Sequence, residues 1–137
     1  MDLIIGGAYQ GKLTLAAQEY GLTPEDICDL AADDPVPGVR CYIHLEELTR
    51  RQEDTESYLP LLAAAEVVIA REIGKHIFRK FYRSQSAVQT GEIGSGVVPM
   101  DAGERAWRER HGRLLRQLAQ QAGSVRRVFC GLTEVLK

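Results

Sequence analysis

The chain has 137 residues, 45% of them apolar, which is the length and hydrophobic content of a single domain with one core. Its 17 lysines and arginines nearly balance 19 aspartates and glutamates, so the net charge of −2 leaves no global positive field to hold a polyanion and argues against a nucleic-acid partner. Apolar runs are only a few residues long and Asp2 follows Met1 directly, so neither a membrane span nor a secretory leader is expected and the expected location is cytoplasmic. Cys28, Cys41 and Cys130 are far apart and form no C-x-x-C pair, which argues against a disulfide framework or a zinc site.

In chain order, "DLII" predicts a short strand running into Gly6 and Gly7, and "KLTLAAQEY" predicts a helix with Leu13, Ala16, Ala17 and Tyr20 at helical spacing. Gly21 ends that helix, and Thr23-Pro24 starts a new segment with Thr23 as cap. "DDPVPG" reads as a turn before "VRCYIHL", whose β-branched and aromatic content predicts a strand. Leu45 to Ala65 shows a helical pattern broken by the polar run "RRQEDTES". "EVVIA" predicts a central strand of a parallel sheet, because a continuous β-branched run suits a strand covered on both faces.

Asp101 and Glu104 have the spacing of a capping box, and Trp107, His111, Leu114, Leu115, Leu118 and Ala122 line one side of a helix that ends at Gly123. "VRRVFCGLTEVLK" closes the chain as one strand, or two joined near Gly131. Strands alternating with helices predict one α/β domain over residues 1–137 with a mostly parallel central sheet.

The strand, glycine turn and helix at the start carry most of the chemistry. In the phosphate-binding pattern G-x-x-x-x-G-K-[ST], the glycines let backbone N–H groups wrap phosphates, the lysine reaches the terminal ones and the hydroxyl ligates magnesium. Gly6, Gly11 and Lys12 meet three of the four requirements, and the following helix would add its positive end. The candidate nucleotide-binding residues are Gly6, Gly7, Ala8, Tyr9, Gln10, Gly11, Lys12, Leu13 and Thr14, with Lys12 also a catalytic candidate. Leu13 stands where the hydroxyl belongs, and Thr14 is rotated ~100° further around the helix, so Mg²⁺ binding is weakened while phosphate binding is not. No G-x-G-x-x-G pattern supports a dinucleotide oxidoreductase.

"GGAYQGK", "REIG", "SGVVP" and "CGLTEVLK" together resemble the adenosylcobinamide kinase / adenosylcobinamide-phosphate guanylyltransferase family. Its members carry GGxxxGKS, a later N-E-V-G-x-G-[IV]-V-P segment, an arginine-bearing helix and a final strand with a hydrophobic-Gly turn, in the order seen here. The likeness is strongest over residues 1–20 and 66–137. It implies a P-loop NTPase (RecA-like) three-layer α/β fold, frequently a homotrimer, phosphorylating a corrinoid hydroxyl with ATP or GTP in cobalamin biosynthesis or salvage. The family's guanylylated histidine lies in an H-R-x-x-R-P-like segment that is absent here, which argues against the second, guanylyltransferase step. His44 is the one histidine of the middle region: a guanylyl acceptor in a different setting, a substitute for the magnesium-directing Asp, or a sheet-edge residue. Asp29 is the other residue near a strand end that could direct a metal.

Glu72 matches the Glu of N-E-V-G and is the second catalytic candidate, as a base, as the residue orienting a water or metal, or as a cap on the loop. The family segment is interrupted by an insertion at 75–94 in which Lys75, Arg79, Lys80 and Arg83 accompany Ile77, Phe78, Phe81 and Tyr82 at helical spacing. It reads as a lid, as an oligomer or membrane-surface contact, or as a surface insertion without function. Glu-Ile-Gly recurs at its end, so Glu72 and Glu92 both remain candidates for the site. Arg105, Arg108, Arg110, Arg113 and Arg116 form a solvated face paired with Glu104 and Glu109, unless one or two reach a nucleotide or a neighbouring subunit.

Overall fold

The computed structural model describes residues 1–8, 10–73 and 101–137. Tyr9, the insertion at 75–94, Glu92 and the "SGVVP" segment lie outside the described residues.

The described elements are β1 (Asp2–Gly6), α1 (Lys12–Tyr20), β2 (Ile27–Asp29), β3 (Cys41–Ile43), α2 (Leu45–Arg51), α3 (Leu59–Ala63), β4 (Val67–Arg71), α4 (Ala102–Gln121), β5 (Ser124–Phe129) and β6 (Leu132–Val135). One six-stranded sheet has the order β2-β3-β4-β1-β5-β6. The first five strands run parallel, and β6 returns antiparallel on β5. Of the two readings open for the C-terminus, the hairpin is therefore the one adopted, with Gly131 at φ 75° in its turn.

Alternation along the central strands divides the core. Leu3, Ile5, Val68, Ala70 and Val125 face Leu45, Leu48, Leu62, Leu114, Leu115 and Leu118 from α2, α3 and α4. Ile4, Val67, Ile69 and Val128 face the opposite way, toward Ala16 and Leu15 of α1. Helices on both faces of a mainly parallel sheet are the three-layer α/β arrangement of P-loop proteins. β4 lies between β1 and β3, as "EVVIA" predicts.

Local signals explain most of the boundaries. Gly21, at φ 62°, ends α1 and returns its N–H to Ala17 O. Thr23 and Asp26 close a reciprocal capping box, but the segment is only a single 3-10 turn leading into β2. Asp101 caps α4 by accepting the Glu104 N–H at 2.7 Å. The Glu104 carboxylate does not complete the predicted box: it pairs instead with Arg50 of α2 at 3.2 Å. "VRCYIHL" yields a strand of only three residues, because β3 ends where His44 turns the chain into α2.

Candidate functional site: a phosphate-loop cleft

Gly6 ends β1 against β5, where a Cβ would sit 2.5 Å from the Val128 carbonyl oxygen, so only glycine lets the loop start there. Gly11 holds φ 83° at the start of α1, a left-handed conformation suited to glycine. Gln10 Oε1 accepts the Cys130 N–H at 2.6 Å and pins the loop to the β5–β6 turn. Lys12 folds back over this loop: its Nζ donates to Gly6 O at 3.3 Å and also to Gly7 O. Burial lowers the Lys12 pKa; Glu46 opposes this, Arg71 adds to it and Glu72 again opposes it.

The loop forms one wall of a cleft of about 330 Å³ at the carboxyl ends of β1, β3 and β4, where open α/β sheets bind ligands. Ala8, Gln10, Gly11, Lys12, Leu13 and Thr14 line this side. Leu13 is 40% exposed. Ile43, His44, Glu46, Ile69, Ala70 and Arg71 line the other.

The far wall is built at the β3–α2 corner. His44 places its Nδ1 2.7 Å from Asp29 Oδ1, across the β2–β3 pair. Burial raises the Asp29 pKa, but hydrogen bonds from His44 and from the Ala31 N–H outweigh it and hold the carboxyl below its usual value. Glu46, buried in the first turn of α2, accepts the Arg71 N–H at 3.1 Å and contributes negative charge near Lys12.

A buried polar network fixes that turn of α2. Thr49 Oγ1 lies 3.0 Å from both Glu46 O and His111 Nδ1, which share its one hydrogen, and it accepts from Trp107 Nε1 at 3.1 Å. His111 Nε2 bonds Arg71 O at 2.8 Å, which ties α4 to the end of β4. Burial lowers the His111 pKa despite the Arg71 carbonyl and the Glu46 charge. A depressed histidine leaves stability intact above the unfolded value of 6.5 and removes it as pH falls toward the folded value, because only the unfolded chain then gains the proton. The urea midpoint should therefore fall between about pH 7 and pH 5 more steeply in the unsubstituted protein than in His111→Gln. Equal slopes would contradict the burial argument.

The sequence-predicted residues fall into separate groups. Lys12, Gly6, Gly7, Ala8, Gln10, Gly11, Leu13 and Thr14 converge on the loop, and His44 faces them across the cleft. Glu72 lies outside the cleft lining: its N–H donates to Gly6 O at 2.8 Å and its carboxylate pairs with Arg127 at 2.9 Å. Burial raises its pKa, with Arg127 opposing. This is the geometry of a brace behind the loop. Among the α4 arginines, Arg110 donates to Thr49 O at 2.7 Å, while Arg105, Arg108, Arg113 and Arg116 are exposed.

Glu46 was not singled out by its sequence setting, because "HLEEL" reads only as the start of an amphipathic helix. The one available signal is its place in the first turn after a strand that ends at the ligand-binding edge. The donor set does not fit the usual magnesium site of such a loop: Leu13 offers no oxygen, and no three His, Cys, Asp or Glu cluster among the described residues.

A family model described as cobinamide kinase / cobinamide phosphate guanyltransferase matches residues 45–136, two thirds of the chain. The match begins at α2, so it takes in the stretch before residue 66 where the sequence likeness is weak, and it leaves out residues 1–20 with the glycine loop, where that likeness is strong. Comparison with curated proteins gives no match. The family supports a cobinamide kinase or guanyltransferase-like role in cobalamin biosynthesis, with nucleotide and corrinoid substrates. With a match over two thirds of its length, the chain belongs to the cobinamide kinase / cobinamide phosphate guanyltransferase family.

Proposed function

We propose that this protein binds the triphosphate of ATP or GTP in the loop from Gly6 to Lys12 and transfers the terminal phosphoryl group to a corrinoid side-chain hydroxyl. The observation that carries this reading is Lys12, whose ammonium folds over the loop onto Gly6 O and Gly7 O at the mouth of the cleft. An incoming phosphate would replace those neutral carbonyls with charged oxygens, for which the ammonium forms stronger bonds. The amino end of α1 adds its positive dipole end to the same point.

Phosphoryl transfer depends mainly on positioning and charge neutralisation. Lys12 neutralises the terminal phosphate, the backbone of the loop orients it, and Glu72 with Arg127 braces the turn from behind. None of these roles calls on a metal ligand from the chain. The cleft is at the small end of ligand pockets, sized for phosphates and the reacting arm of an acceptor, so the corrin ring would rest outside it.

A second reading, nucleotide binding without turnover, is favoured by Leu13 at the position that needs a hydroxyl. Incubation with cobinamide and labelled ATP or GTP separates the two. Phosphorylated cobinamide formed with many turnovers per protein supports the kinase. Saturated nucleotide binding with no product would leave the binding role alone.

A further inference from the structure

His44 occupies φ 60°, ψ 45°, a left-handed conformation that costs a non-glycine residue about 1 kcal/mol. The cost is not offset by capping, since the side chain makes no cap bond to α2. The imidazole is instead held by Asp29, itself fixed by the Ala31 N–H at 2.9 Å on the same Oδ1. An ionised carboxylate can only accept, so Nδ1 carries the hydrogen, and in the neutral ring Nε2 presents its lone pair. Nε2 has no hydrogen-bond partner among the described residues, and the side chain is half exposed in the wall facing Lys12 and Thr14.

We propose that His44, oriented by Asp29, is the general base that deprotonates the acceptor hydroxyl; this rests on the kinase reading above. In the step, the O–H bond breaks as its proton passes to Nε2, and the acceptor oxygen bonds the γ-phosphorus. The bond from that phosphorus to the β–γ bridging oxygen breaks, and the nucleoside diphosphate leaves with the electron pair. The imidazolium then returns its proton to solvent. Asp29 is a positioning residue and His44 the catalytic one.

His44→Gly suits the test because glycine accepts the left-handed conformation, so the fold is kept. Nucleotide binding by calorimetry should be unchanged, cobinamide phosphorylation should fall about 100-fold, and added imidazole should restore it in part. Asp29→Asn should lower the rate less and show no imidazole rescue. Turnover within about threefold of the parent, or a loss that imidazole does not rescue, would overturn the base assignment and leave the kinase reading standing. Label from the nucleotide held covalently by the parent and lost in His44→Gly would overturn it too, in favour of a nucleophile. Nucleotide binding without turnover in the parent would overturn the kinase reading and this role with it.

Discussion

Lys12→Ala should weaken ATP and GTP binding about 100-fold while leaving the thermal unfolding midpoint nearly unchanged. Charge-assisted hydrogen bonds to phosphate are worth up to ~3 kcal/mol, and 1.4 kcal/mol is a tenfold change. Among the described residues the ammonium meets Gly6 O and Gly7 O, and Gly6 O keeps the Glu72 N–H as a second partner at 2.8 Å. Removing the side chain therefore orphans little in the fold while removing the cation that sits on the glycine loop. Lys12→Arg should fail to restore affinity, because a planar guanidinium does not replace a compact ammonium over two neighbouring carbonyls. Isothermal titration of the three proteins checks both statements. Equal affinity in Lys12→Ala would mean that the loop is a structural turn.

Trp107→Ala should cost about 3–5 kcal/mol, a large share of the ~5–15 kcal/mol typical of a domain. The ring is 8% exposed and Arg50 stacks on it at 3.7 Å. Its Nε1 donates to Glu46 O at 3.2 Å and to Thr49 Oγ1 at 3.1 Å. Truncation leaves a cavity between α2 and α4 and frees the turn that carries Glu46. Trp107→Phe should retain most of the packing and lose about 0.5–1.5 kcal/mol with the indole N–H bond, since Glu46 O and Thr49 Oγ1 keep each other as partners. Trp107 is the sole tryptophan, so unfolding of both variants must be followed by far-UV circular dichroism in urea. A shift in the alanine variant no larger than in the phenylalanine variant would contradict the packing account.

How much of this was readable in advance depends on the range of the forces involved. The β1–loop–α1 corner was legible because its signals are local: an apolar strand, glycines at Gly6 and Gly11, and a helical period from Lys12 to Tyr20. "EVVIA" was legible for the same reason, since a strand buried on both faces needs no polar alternation. The buried stripe of α4 followed from its period, and Trp107, His111, Leu114, Leu115 and Leu118 are all buried.

On the far wall of the cleft His44 and Asp29 were legible as candidates, but their pairing and the place of Glu46 were not. Asp29 and His44 are 15 residues apart and meet only because β2 and β3 pair in register, Asp29 opposite Ile43. The pairing of Glu104 with Arg50 rather than with its own helix end is likewise a product of α2 packing on α4. Such contacts depend on tertiary register, which periodicity does not encode. The same holds for Glu72: its sequence motif suggested chemistry, while its partner Arg127 comes from a strand 55 positions later.

In the proposed function the Gly6–Lys12 loop binds nucleotide phosphates without a metal held by the chain. The most direct measurement is calorimetric titration of the unsubstituted protein with ATP and with GTP, once with Mg²⁺ and once with EDTA. Saturable binding of at least one nucleotide, with affinities that differ by less than about tenfold between the two conditions, is the predicted result. No binding at millimolar nucleotide, or binding that disappears in EDTA, would contradict it.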